Sequence, residues 1–190
     1  MKHATTRMIF AYWDLLRGER AAPERGEIEP GEIRHVLGDT FILEAADEGA
    51  AIRLAGTRIC ALFGRELKGH AFASLWAGNS AGDPQALLDI VLGETSGCIA
   101  GLVGRTEYGE EMPLEMILLP LRHGGKPHAR VLGALAPLTV PAWIGLRPLR
   151  ELATLSMRVM PGSAAMPAPA EAPRPAPDRP MLTLHRGGRV

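Results

Sequence analysis

Six histidines, two cysteines and one carboxylate inside an apolar run are the residues of this chain best suited to chemistry. The histidines are His3, His35, His70, His123, His128 and His185. A metal ion needs several converging ligands. His123 and His128 flank Gly124-Gly125 and can meet across a hairpin, but no third ligand is implied, so a solvated hairpin is expected. Cys60 and Cys98 are too few for a metal framework. Cys60 reads as a small buried hydrophobe on a short helix and Cys98 opens a strand, and no neighbouring positive pair stands ready to activate a thiolate for redox sensing. Ser74, Ser80, Ser96, Ser156 and Ser163 lack the Gly-x-Ser-x-Gly elbow of a nucleophilic serine. Gly97, Gly101 and Gly104 are spaced wrongly for a dinucleotide loop, and are better placed to let a strand bend or a ligand come close.

Glu115 is the one charge in the stretch from Met112 to Leu121. Strand alternation puts it on the face of Pro113, Ile117, Leu119 and Leu121, opposite Leu114, Met116 and Leu118. Facing inward, it needs a partner such as an arginine or a raised pKa. The expectation is that it faces outward. Glu107, Glu110 and Glu111 read as a solvated acidic turn.

The elements that must position these residues follow from periodicity. A helix begins at a Thr5 or Thr6 cap, carries Met8, Ile9, Tyr12, Trp13, Leu15 and Leu16, and stops at Gly18. A second short helix is expected from Gly31 to Leu37, with Ile33, Val36 and Leu37 on one face. Strands follow at 40–44 and 51–55, joined by a turn through Asp47, Glu48 and Gly49. A short helix carries Ile59, Leu62 and Phe63 and ends at Gly64, where glycine can take the left-handed cap. Phe72, Leu75 and Trp76 form an apolar patch before a loop at 78–82. Asp83 caps a helix with Pro84 at its first position and Leu87, Leu88, Val91 and Leu92 as its stripe. Three strands, 98–105, 112–123 and 129–138, then form a meander. Strands grouped on either side of helices give an α+β class, a five-stranded antiparallel sheet with short helices on one face plus the N-terminal amphipathic helix.

The 190 residues suit one domain with appendages. The expected division is an N-terminal helix and connector (1–29), a core (30–141), a post-core segment (142–160) and a tail (161–190). Seven prolines in twenty residues mark 161–180 as a tether with polyproline character. The last ten residues, MLTLHRGGRV, alternate briefly and read as a frayed tail or a short peptide motif. The 21 basic and 21 acidic residues cancel, so no whole-chain field steers nucleic acid. The arginines Arg147, Arg150 and Arg158, expected on a short helix after Pro148, are the only features pointing that way. No secretory leader and no membrane-length apolar run is present, which places the chain in the cytoplasm as an expectation.

The order of elements resembles the PAS domain. The detailed match runs from Ile52 to Gly69, with Gly64 closing the short helix and Glu66-Leu67-Lys68-Gly69 as the following turn. Gly56 stands where that fold often has asparagine. More narrowly the chain is similar to a small alphaproteobacterial single-PAS family, through Tyr12-Trp13 on the first helix and Pro30-Gly31-Glu32-Ile33-Arg34. The resemblance covers roughly 5–145. It implies a sensory, signalling or scaffold module acting through protein–protein contacts, with no enzymatic output, whose wider fold binds haem, flavin, small metabolites or nothing.

Neither haem nor flavin is indicated. The helix from Pro84 has no histidine for an axial ligand, His70 being the nearest. Asn79 is followed by Ser80, not by the cysteine of a light sensor's Asn-Cys-Arg-Phe motif. A small apolar ligand between sheet and helices would touch Ile59, Phe63, Leu67, Met116 and Leu118, residues that serve equally as plain core. The interaction candidates are Met8, Ile9, Tyr12, Trp13 and Leu16, on a helix able to pack on its own sheet or pair with its copy in a homodimer. The signalling partner is not named by the sequence. The alternative function is an acyl or lipid carrier or enzyme on another α+β fold, for which no catalytic pair is offered.

Overall fold

The computed structural model describes residues 1–46, 49–76, 84–93 and 96–160, without the side chains of 127 and 128. The expected features at Asp47, Glu48, the 78–82 loop, the Asp83 cap, the His128 side chain, the proline-rich tether and MLTLHRGGRV lie outside the described residues.

Six strands form one sheet: β1 (Thr40–Ala46), β2 (Gly49–Ala55), β3 (Gly97–Thr106), β4 (Glu111–His123), β5 (Lys126–Pro137) and β6 (Leu149–Met160). Their order is β2-β1-β5-β4-β3-β6, and every neighbouring pair is antiparallel. The α+β class and antiparallel sheet match the expectation, but the sheet has six strands, not five. The sixth, β6, is the segment read as a short helix. Leu149, Leu152 and Leu155 recur every three residues and imitate a helical stripe. Only Leu149 and Leu152 share the buried face, three residues apart because the register against β3 shifts at Arg105/Thr106; Leu155 is the extra residue of the shift at Gly101/Leu102 and stays exposed. Each extra residue resets the strand's alternation.

Short elements cover the inner face: α2 (Thr57–Phe63), a 3-10 turn at Phe72–Leu75, and α3 (Pro84–Leu88) running into one π-helical turn at Asp89–Gly93. α2 ends as expected, with Gly64 left-handed at φ 61. Leu67 plugs the same layer and is fully buried. The expected helix at 31–37 is instead a run of turns before a 3-10 turn at Leu37–Asp39. Ile33 and Val36 still reach the core from these turns.

The outer face carries α1 (Ala4–Arg17), which ends at Gly18 as expected. Its cap is His3, not a threonine: the His3 Nδ1 accepts from the Thr5 amide at 3.1 Å. Ile9 and Trp13, 0% and 2% exposed, pack on Ile42, Ile117, Leu119, Leu121 and Leu132. The Trp13 indole N–H donates to the Pro120 carbonyl at 2.8 Å. Layers on both faces explain why β4 reads as a near-continuous apolar run. Among the described residues no helix is long and apolar enough to cross a membrane.

Candidate functional site

Two places answer to the residues singled out above: the interior between sheet and short helices, and the seat of α1. In the interior, Ile59 from α2, Leu67 from the following turn and Met116 from β4 do meet. Phe41, Ile52, Phe72, Leu75 and Leu135 close around them. The space left between these side chains is about 10 Å³, at the lower limit of what one water requires. Phe63 and Leu118 belong to the same buried cluster but do not line that space.

Aromatic packing fills the centre. The Phe72 ring lies 6.1 Å from Phe41 and 4.9 Å from Trp76, centroid to centroid. Trp76 is anchored in turn by its indole N–H, which donates to the Thr154 hydroxyl of β6 at 3.1 Å. Phe41 lies against the backbone of Gly133, its cross-strand partner, where an added Cβ would collide with the ring. Gly133 was not singled out from the sequence. Its signal was a glycine in mid-strand between Leu132 and Ala134, the mark of a close approach.

At the seat of α1 the helix candidates divide. Ile9 and Trp13 are committed to the chain's own sheet. Tyr12 and Leu16 are half-buried beside them, and the Tyr12 hydroxyl accepts from the Glu29 amide at 2.8 Å. Met8 remains 47% exposed and Leu15 79%.

Glu115 overturns its expectation. It is 5% exposed and faces the α1 layer, not solvent. Its carboxylate accepts from the Lys2 amide at 2.7 and 2.9 Å, from the His3 amide at 2.8 Å and from the Thr6 hydroxyl. Burial pushes its pKa up. The hydrogen bonds from Thr6, His3 and Lys2 together outweigh burial and hold it below the ordinary carboxylate range. The partner foreseen for an inward Glu115 was an arginine; backbone amides and a hydroxyl do that work instead. Next to it Asp39, also buried, accepts from the Thr5 hydroxyl at 3.3 Å and pairs with Arg58 at 3.1 Å.

The acidic turn is not simply solvated. Glu107 pairs with Arg150 at 2.8 Å, Glu111 with Arg105 at 2.9 Å, and Glu110 with Arg147. Arg147 also lies over the Tyr108 ring, 5.2 Å from its centroid. Two of the three arginines that hinted at nucleic acid are thus held by the chain's own carboxylates. Burial raises the Cys98 thiol to about 11, and burial likewise raises Cys60, which also faces Glu66. Both thiols stay protonated near neutral pH, so neither is activated. Among the described residues no group of three metal-ligating side chains converges.

Several solved structures match part of this chain at low identity. A light-oxygen-voltage domain studied with a flavin analogue superposes with a TM-score of 0.48 at 13% identity, covering 57% of this chain and 83% of that one. The dark structure of the blue-light photoreceptor Aureochrome1 LOV gives 0.44 at 15% identity, covering 60% and 83%. The Rhodobacter sphaeroides LOV protein gives 0.47 at 15% identity, covering 57% and 66%. No curated protein matches the chain. A family model described as a PAS domain matches residues 1–136, which is well over half of the sequence. With the sheet order, the Gly64 cap and the Leu67 plug already in place, the chain belongs to the PAS domain family of sensory and signalling modules.

Proposed function

We propose that the chain is a PAS-type signalling or scaffold module that works through contacts with other proteins, a second copy of itself among them, and has no catalytic output of its own. The filled interior carries this reading. A haem or flavin needs a cavity of about 300 Å³ or more, whereas the described interior leaves about 10 Å³, lined by nine apolar residues and by no histidine or cysteine. The residues present fit neither group. Ile59, Phe63, Leu67, Met116 and Leu118 then act as core that couples the short helices to the sheet.

Surface composition supports the contact role. β6 is an edge strand of the described sheet, and Leu155, Met157 and Val159 are exposed on it. Unpaired edges with apolar side chains are templates for pairing with another chain. Met8 and Leu15 add apolar surface on the outer side of α1. A homodimer in the cytoplasm, with its output made by another protein, is the arrangement we propose. Native mass spectrometry of the purified full chain tests both parts. The expected spectrum is a dimer without an adduct. A stoichiometric haem or flavin adduct overturns the filled-core reading, and a monomer at all concentrations overturns the dimer.

A further inference from the structure

α1 seats on β4 and β5 and leaves the outer face of β2 and β1 to be covered by the chain that follows it. Between that chain and the sheet lies a groove of about 770 Å³, open to solvent. Ile42 and Leu54 form its floor, and Arg25, Arg53, Lys68, His123 and Arg130 line it.

The convergence has local causes. β1 and β2 shift register between Ile42 and Leu43, so that Ile42 faces Leu54 and Leu43 faces Ile52. Arg53 is the extra residue of this bulge, which re-aims side chains and brings Arg53 and Leu54 into one groove. Arg25 opens a 3-10 turn fixed by a capping box in which the Glu27 carboxylate accepts from the Glu24 amide at 2.6 Å. Arg130 stands directly across from Glu44 in the β1–β5 ladder.

The charges do not balance there. Glu44 is shared by Arg130 and by Arg53 at 3.4 Å, and Glu24 is held by Arg122 at 3.3 Å. Arg25 and Lys68 have no carboxylate within ion-pair distance among the described residues. Four arginine and lysine side chains, Arg25, Arg53, Lys68 and Arg130, thus line the groove against Glu44 and a Glu24 already taken by Arg122, in a chain whose basic and acidic residues cancel overall. Like charges gathered in one concavity repel each other and concentrate an anion.

We propose that this groove binds a multiply charged phosphate anion joined to an apolar body, as in a nucleotide. Guanidinium groups match phosphate oxygens two at a time, and a lysine supplies a point charge. The floor of Ile42 and Leu54 gives a flat apolar group somewhere to lie. The same phosphate chemistry is offered by a soluble nucleotide and by a phospholipid headgroup, and separate arms of the test tell them apart. This site is apart from the filled interior and stands whether or not the chain dimerises.

The test is calorimetric titration of the full chain with inorganic pyrophosphate and with ADP, beside co-sedimentation with phosphatidylglycerol vesicles. The variant is R25E/K68E, two groove-lining changes that break no ion pair; circular dichroism confirms its fold. Saturable binding of ADP tighter than pyrophosphate is expected, weakened about tenfold or more in the variant, as fits the loss of charge-assisted contacts. It should also weaken between about 50 and about 500 mM NaCl, where the Debye length falls about threefold. Binding confined to vesicles and lost in the variant keeps the phosphate site and assigns it to lipid. Absence of binding in every arm, or binding that the variant retains in full, overturns the proposal.

Discussion

Replacing Glu115 should release the start of α1 from the sheet. Its carboxylate receives two backbone amides and one hydroxyl while 5% exposed. A hydrogen bond to a charged group contributes about 1.5–3 kcal/mol when buried, and about 1 kcal/mol when water can replace the partner. Lys2 and His3 lie near the surface and their amides can rehydrate, whereas Thr6 is fully buried. The Thr6 hydroxyl has a second acceptor, the His3 carbonyl at 3.0 Å, which limits its loss. Glu115→Ala is therefore expected to cost about 3 kcal/mol, a fall in Tm of about 6–12 °C for a chain of this size. Glu115→Gln keeps an acceptor oxygen where the Lys2 and His3 amides and the Thr6 hydroxyl converge, but it loses the charge and turns an N–H₂ toward the Lys2 amide, so it should recover only part of the loss. The folded carboxyl sits below its unfolded value of about 4.3. Its stabilisation is thus complete above that value and is lost as pH falls through the folded pKa. Thermal melts by circular dichroism between about pH 3 and pH 7 should show the wild-type chain and Glu115→Gln converging at the acid end. Variants that melt within about 1 °C of wild type at neutral pH, or an acid profile unchanged by Glu115→Gln, would refute the reasoning.

Three further outcomes follow from the packing. Gly133→Ala should destabilise by about 1–3 kcal/mol through overpacking against Phe41, and Phe41→Val should cost less in that background than alone, measured by urea unfolding as a double-mutant cycle. Additive losses would mean the ring and the glycine do not compete for space. Trp13→Phe removes the donor to Pro120 and part of the buried ring, for about 1–3 kcal/mol of stability in the same assay; an unchanged midpoint would mean that neither contributes. Cys60 should react with a chromogenic disulfide reagent in the native chain, and Cys98 only at the rate of unfolding, as its burial and raised thiol pKa require. Equal native rates would contradict the placement of Cys98.

Much of the scaffold is legible from residue types. Gly18 and Gly64 stop helices because glycine alone takes those angles cheaply, and β1, β2 and the meander follow from short apolar runs between turn residues. What escaped had physical reasons. Alternation could not orient Glu115, because β4 is buried on both faces and its apolar run carries no inside or outside. A bulge set Leu149 and Leu152 of β6 three residues apart on one face. The turns at 31–37 bury the residues a helix would have buried, so the apolar pattern there fixes burial without fixing conformation. The interior candidates lie in one buried cluster, but whether side chains leave room between them depends on rotamers and on Phe41 lying over Gly133, which no spacing encodes.

The strand order also sets when things can happen as the chain folds. β1 meets β2 at once, across a two-residue connection, but its other neighbour β5 lies about eighty residues further along. Closing so long a loop is entropically costly and slow. The surface that receives Ile9 and Trp13 is made largely of β4 and β5 residues, so it does not exist until that closure is complete. α1 therefore precedes in the chain the strands that seat it and must wait for them. In the interval its apolar stripe has no partner within the chain, and that is the period in which another protein, or another copy, can compete for it.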